Sequence, residues 1–262
     1  DMAKQMVLAI RPGVPVINIP LHTTEIVDNP EKYKYECRNR LGINQDTIVF
    51  GSFGYANRAK RIIQIIEALA TIKREHKVDF LYYIVGKVED KNIVHLIRRL
   101  HLKKNIKVLG YVKLDEFKMY MGACDICFNL RYPTQGESSA SLHRIIGMGK
   151  PVLVTNVGTF EEYPDDIVYK IRHDVHETRD ITECIVSLLR DGGKIEMCSK
   201  KCVDYAKERF ALDNNALKYF QFYNAIINGS YVEGDSVDRA LNQAFADNKA
   251  KDVSTEYVKS LL

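Results

Sequence analysis

Between Arg131 and Pro151 the chain runs Arg-Tyr-Pro-Thr-Gln-Gly-Glu-Ser-Ser-Ala-Ser-Leu-His-Arg-Ile-Ile-Gly-Met-Gly-Lys-Pro, and these residue types suit the binding of an anion. Gly136 lets the backbone come close to a ligand. Ser138 or Ser139 can cap a helix whose apolar positions Leu142, Ile145, Ile146 and Met148 follow at helical spacing. The amides at such a helix start favour a phosphate. The same pattern also suits an ordinary capped crossover helix. A second loop, Gly51-Ser-Phe-Gly-Tyr-Ala-Asn-Arg-Ala-Lys-Arg61, carries two glycines and sets Arg58, Lys60 and Arg61 beside another helix start. Its spacing is neither a Walker loop nor the G-x-G-x-x-G fingerprint. Two phosphate-friendly loops on one sheet edge suit a pyrophosphate. A third loop, Val157 to Pro164, bears the adjacent carboxylates Glu161 and Glu162, which are also what an ordinary loop would carry. His22, His143 and His173 have no serine or cysteine at a recognisable spacing, so Ser-His-Asp chemistry has no foothold.

The elements that must position these loops alternate. Strands are predicted at Thr47–Phe53, Phe80–Val85, Ile106–Leu109, Asp125–Leu130, Pro151–Thr155 and Ile167–Ile171. Helices are predicted at Arg61–Glu75, Lys91–Leu100, Leu114–Gly122, the stretch after Ser139, and Asp174–Leu189. Short apolar runs between amphipathic helices argue for an α/β, Rossmann-like parallel sheet with helices on both faces. In such a sheet ligands bind where strands end and helices begin. After Asp191-Gly192-Gly193 the chain reads as C-terminal helices, Ile195–Phe210 and Asn214–Ile227. The domain reading is a linker and lead-in segment over 1–44, the Rossmann-like domain over 45–191, helices packing on it over 192–228, and a helical tail or bridge over 229–262.

With 262 residues, 46% of them apolar, the chain can bury a normal core. A formal charge of +4, with basic residues scattered among acidic ones, argues against nucleic acid as a partner. No apolar run is long enough to cross a bilayer and no secretory signal precedes the six cysteines, which fits a cytoplasmic setting. Cys124 and Cys127 are expected on opposite faces of a strand as small core residues. Cys198 and Cys202, four apart on a predicted helix, lack a third ligand nearby, and no metal site is expected. The chain starts without methionine and reads as a piece of a longer protein.

Taken in order, Gly54 and Lys60, Ile84-Val85-Gly86, Val108-Leu109-Gly110, Ala123-Cys124-Asp125, Gly136-Glu137, Gly149-Lys150-Pro151-Val152, and Val157-Gly158 with Glu162 resemble the carboxy-terminal, donor-binding half of a GT-B glycosyltransferase. The resemblance is to the retaining enzymes classed as family 4 and covers roughly Ile17 to Phe222. It implies a UDP- or GDP-linked sugar as donor, no tightly bound cofactor and no metal. Lys60, helped by Arg61 or Arg58, would neutralise the leaving phosphates together with the amides of Ser138 and Ser139. Glu137 and Glu162 would contact the donor sugar. Gly54, Tyr55, Gly86, Gly136 and Arg144 would line the nucleotide. The acceptor would be held by an amino-terminal half lying outside this sequence, which could also associate peripherally with a membrane. Two departures stand out. Tyr55 sits where members commonly carry Arg. Of the Glu-x7-Glu pair, the second place falls on Arg144 and the first on Gly136, with Glu137 one position late; the pattern resembles a subgroup reading Arg-Tyr-Pro-Thr-x-Gly-Glu-Ser/Thr-Ser. The alternatives are a nucleotide-sugar epimerase of the same architecture and a non-catalytic nucleotide-binding or scaffold module.

Overall fold

The structure is a computed structural model that describes residues 2–229. The helical tail or bridge expected over 229–262 lies beyond Gly229, outside the described residues. The chain divides into two compact units, one of residues 21–212 and one joining the segment before Leu21 to the segment after Leu212. The lead-in segment expected over 1–44 is therefore divided at Pro20. In the smaller unit lie α1 (Met2–Ile10) and most of α9 (Leu212–Ile227), and Asn215 Nδ2 donates to the Pro20 carbonyl at 2.7 Å.

In the larger unit β1 (Ile48–Phe53), β2 (Phe80–Val85), β3 (Ile106–Gly110), β4 (Ile126–Asn129), β5 (Val152–Thr155) and β6 (Tyr169–Ile171) form one sheet in the order β3-β2-β1-β4-β5-β6. Every pairing is parallel. The helices are α2 (Pro30–Leu41), α3 (Ile62–Glu75), α4 (Asn92–Arg99), α5 (Leu114–Ala123), α6 (Ala140–Gly147), α7 (Glu177–Arg190) and α8 (Gly192–Arg209). This is the parallel layered fold that the alternating pattern predicts.

Strand alternation sorts the core into two clusters. Phe50, Tyr82, Ile84, Phe128 and Leu153 pack with α3, α4 and α7, while Val49, Tyr83, Val85, Val152 and Val154 pack with α2, α5, α6 and α8. The order reverses between β1 and β4, so the crossovers leaving these neighbouring strands go to opposite faces and open a crevice at their carboxyl ends. At the other end of the sheet Arg38, 2% exposed, donates to Asp125 Oδ2 at 2.6 Å and to the Ala123 carbonyl at 3.0 Å, tying α2 to the start of β4. The segment after Leu21 is sewn onto this unit by Thr23 N to Phe210 O, 3.0 Å, and Val27 N to Gly147 O, 2.9 Å.

Three local expectations change. Gly192 and Gly193 lie in the first turn of α8 and do not break the chain before it. The last strand is shorter than predicted and α7 begins at Glu177. Cys124 and Cys127 share one core cluster, because Cys124 caps the end of α5 and so falls outside the strand alternation.

Candidate functional site

The first loop is built by stitching. Gly54 N bonds Val85 O at 2.9 Å, Ala56 N bonds Lys87 O at 2.9 Å, and Glu89 N bonds Ala56 O at 3.1 Å, so the loops after β1 and β2 run together. Gly86, at φ 139°, is what allows this: a Cβ there would lie 2.0 Å from the Gly54 carbonyl oxygen. A 3-10 turn, Arg58–Lys60, follows, and Tyr132 N bonds Ala59 O at 2.8 Å, fastening the loop after β4 to it.

These ties bring Lys60, half-buried, across the crevice to Asn129, with Nζ 3.3 Å from Asn129 Oδ1. Asn129 is 1% exposed and its Oδ1 also accepts from Ser139 Oγ at 3.1 Å. Ser139, rather than Ser138, is the cap of α6, accepting from Leu142 N at 3.3 Å. Arg131 follows two residues after Asn129. Its amide donates to Thr155 Oγ1 at 2.8 Å, and its guanidinium pairs with Glu137. Asn129 Nδ2 and Arg131 Nε are buried without a hydrogen-bond partner.

Glu137 is folded back over its own loop. Oε2 accepts from Thr134 Oγ1 at 2.9 Å and from Gln135 N at 2.7 Å, while Oε1 takes Arg131. Gly136, at φ 79°, supplies the left-handed turn this needs. Thr159 Oγ1 donates to the Glu137 carbonyl at 3.3 Å, bringing in the loop after β5.

The electrostatics follow from this packing. Burial, with Arg131 nearby, pushes the Lys60 ammonium down to about 7, against the pull of Glu137. Burial acts to raise the Glu137 carboxyl, but hydrogen bonds from Arg131, the backbone and Thr134 outweigh it and hold the group at about 2. Donors of one sign thus converge at the β4 end: an ammonium, a guanidinium, a buried amide and the amides at the start of α6. Such a set is of the chemical kind that suits an anion.

The other expected residues divide. Arg61 wraps its guanidinium on the buried Glu177 carboxylate, with Nε 3.1 Å from both oxygens. Arg58 is 87% exposed and lies 3.9 Å from Asp90. In this structure Arg61 and Arg58, expected to help Lys60, pair with Glu177 and Asp90, and the guanidinium whose charge bears on Lys60 is that of Arg131. Both expected arginines instead line a cavity of about 240 Å³ with Asn57, Gln64 and Asp90. Arg144, expected on the nucleotide, turns to Glu25 Oε2 at 3.0 Å. Glu25 also holds Lys118 at 2.9 Å. Gly86 serves loop packing against Gly54. Tyr55, Ser138 and Glu162 are exposed on their loops. Sequence reasoning assigned no role to Asn129, Arg131, Thr134 or Thr155. A signal existed for Asn129, a lone amide inside the apolar run Ile-Cys-Phe-Asn-Leu.

Among the described residues no group of three or more His, Cys, Asp or Glu side chains is arranged to hold a metal ion. No helix among them is long and apolar enough to cross a membrane.

The family model for glycosyl transferases group 1 matches residues 34–209. No curated protein matches. Among solved structures, HepE from Anabaena in complex with UDP and glucose superposes with a TM-score of 0.68 at 19% identity, over 86% of this chain and 61% of that one. A glycosyltransferase from Rickettsia africae gives 0.70 at 17% identity, over 86% and 61%. The C-terminal domain of the group 1 family protein LpcC from Francisella tularensis gives 0.57 at 14% identity, over 71% of this chain and 95% of that one. The chain spans 53% of HepE in its UDP complex and 57% of a sucrose-phosphate synthase from Thermosynechococcus elongatus. With the family model covering most of its larger unit and a GT-B fold shared with these neighbours, the chain belongs to the glycosyl transferases group 1 family.

Proposed function

We propose that this chain is the donor-binding half of a retaining, family 4-like glycosyltransferase, and that it binds a nucleoside diphosphate sugar across the carboxyl ends of β1 and β4. The observation that carries this reading is the meeting of Lys60, Asn129 and Arg131 at the reversal of the sheet. UDP is favoured over GDP as the leaving nucleotide because HepE, which shares the fold, is found with UDP. Transfer separates a sugar carrying positive charge from a departing diphosphate, so charge grows on the phosphate oxygens as the bond breaks. Lys60 and the amides at the start of α6 stabilise that charge from fixed positions, which lowers the barrier without a metal. Glu137 serves the sugar. The acceptor is held by a second domain outside this sequence, and the six free thiols suit a reducing cytoplasm.

Titration of UDP, GDP and ADP against this chain, followed by a transfer assay with UDP-sugars, tests the reading. It expects UDP to bind and no sugar to be transferred by the chain alone. Failure of all three nucleotides to bind would overturn the donor site. Transfer by this chain without any further domain would overturn the claim that it is half an enzyme.

A further inference from the structure

The β4 end holds more donor capacity than the protein itself uses. Asn129 spends its oxygen on Lys60 and Ser139, which leaves Nδ2 buried without an acceptor; Arg131 Nε is in the same position two residues on. Buried donors are almost always paired in native proteins, and two such donors beside a half-buried ammonium match an anion with several acceptor oxygens. Among the described residues the carboxylate on Arg131 is that of Glu137, which reaches it from within the same loop. Both Glu137 oxygens are occupied there, one by Arg131 and the other by Thr134 and the Gln135 amide. Glu137 cannot hold Arg131 in this way and also turn its carboxylate to a sugar.

Resting on the reading of this crevice as a diphosphate site, we propose that Arg131 is a second phosphate ligand and that Glu137 is its resident counter-ion, displaced when the donor's phosphate arrives. In the free protein Glu137 compensates the guanidinium, whose charge bears unfavourably on the Lys60 ammonium. A phosphate supplies that compensation with more oxygens, and those oxygens also accept from Arg131 Nε and Asn129 Nδ2. The carboxylate is then released at the edge of the crevice where the sugar lies. Donor binding and the placing of Glu137 thus become one event, and breaking the Arg131–Glu137 pair counts against donor affinity.

A loop clasp without this role behaves differently under substitution, which makes the proposal testable. UDP and GDP are titrated calorimetrically into the 262-residue chain, with uridine and guanosine as controls. Arg131→Gln is expected to weaken the nucleoside diphosphate by about 10–100-fold, the weight of a charge-assisted hydrogen bond, and to leave the nucleosides unchanged. Glu137→Gln is expected to tighten it by roughly 2–5-fold, the weight of a partly exposed ion pair. An unchanged or weakened affinity in Glu137→Gln overturns the proposal, and that arm decides alone if Arg131→Gln does not fold. Lys60→Ala separates the two levels of the argument. If the wild-type chain binds neither UDP nor GDP, or Lys60→Ala binds as wild type does, the diphosphate reading itself falls. If Lys60→Ala loses affinity while Arg131→Gln and Glu137→Gln both match wild type, the reading stands and this inference is overturned.

Discussion

Lys60 Nζ lies 3.3 Å from Asn129 Oδ1, so the loop leaving β1 and the end of β4 meet across the reversal of the sheet. If that ammonium is a phosphate ligand, Lys60→Ala weakens diphosphate binding by roughly 1.5–3 kcal/mol and leaves the nucleoside almost untouched. Parallel titrations of UDP and uridine check this, and an equal loss for both would show that Lys60 serves something other than phosphate.

Proton linkage gives a second expectation at the same residue. Burial holds free Lys60 at about 7, and a bound diphosphate, which favours the charged ammonium, raises it. Binding between pH 7 and 8.5 therefore takes up a proton, and the affinity falls as the pH rises through this range. Calorimetry in buffers of different ionisation enthalpy reads the uptake directly. Zero uptake at pH 8 would contradict it.

His143 sets an acid limit on the fold. Its Nδ1 bonds the Leu21 carbonyl at 2.6 Å, its Nε2 accepts from the Tyr163 hydroxyl at 2.8 Å, and its ring stacks on Phe210. Burial lowers the imidazole to about 4, against the opposing pull of the Leu21 carbonyl. Because this lies below the unfolded value, the unfolded chain takes the proton first. Stability present at neutral pH is lost as the pH falls through 6.5 towards 4, by roughly 3 kcal/mol for this group. Urea melts of the wild type and of His143→Gln across that window should differ in slope, the variant being flatter; identical slopes would remove His143 as the cause.

Glu25 contributes lower down. Burial acts to raise its carboxyl, but Lys118, Thr23, Thr24 and Arg144 together hold it at about 2, so its stabilisation is lost only as the pH falls from about 4.5 towards 2. Arg144→Gln should cost about 1 kcal/mol of stability through this pair and change diphosphate affinity by less than about twofold. A large loss of affinity in a folded Arg144→Gln protein would return Arg144 to the nucleotide.

Gly86 and Gly42 separate close approach from backbone strain. Both have positive φ, but a Cβ at Gly86 meets the Gly54 carbonyl oxygen at 2.0 Å, whereas nothing lies within 4 Å of one at Gly42. Gly42→Ala should cost about 1–2 kcal/mol, for the left-handed backbone alone. Gly86→Ala should cost more and should also displace the first loop, lowering diphosphate affinity. Chemical denaturation of the two variants compares them, and equal costs would show that the Gly54 contact yields freely.

Much of this was legible in local patterns. Burial of a strand on both faces leaves a short apolar run, and helices facing a sheet repeat their apolar residues every third or fourth position, so the alternation and the parallel sheet could be read directly. A cap at Ser138 or Ser139 and the glycines that shape the two loops could also be read, since each depends on the conformation of a few neighbouring residues; the structure chose Ser139. The extent of the last strand and the start of α8 were less clear. Gly192 and Gly193 are exposed and sit in the first turn of α8, where the amides need no intrahelical partner, so the low helix propensity of glycine does not fix where the helix starts.

The sequence by itself determined the layered α/β class, because strand and helix periodicities follow from spacing along the chain; it offered two glycine-bearing loops as candidate sites, and the family resemblance singled out Lys60 and Glu137 among their charged members. Only the tertiary structure decided which charges meet. Arg61 and Arg58 stand nearest Lys60 in sequence, yet Arg61 is spent on Glu177 and Arg58 points to Asp90. Arg144 is spent on Glu25, more than a hundred residues away. Arg131 acts on Lys60 because β1 and β4 are neighbours in the sheet although 72 residues separate the ends Phe53 and Ile126 in the chain. A side chain's charge is written in its residue type, but its partner is set by strand order, and strand order is a property of the whole fold.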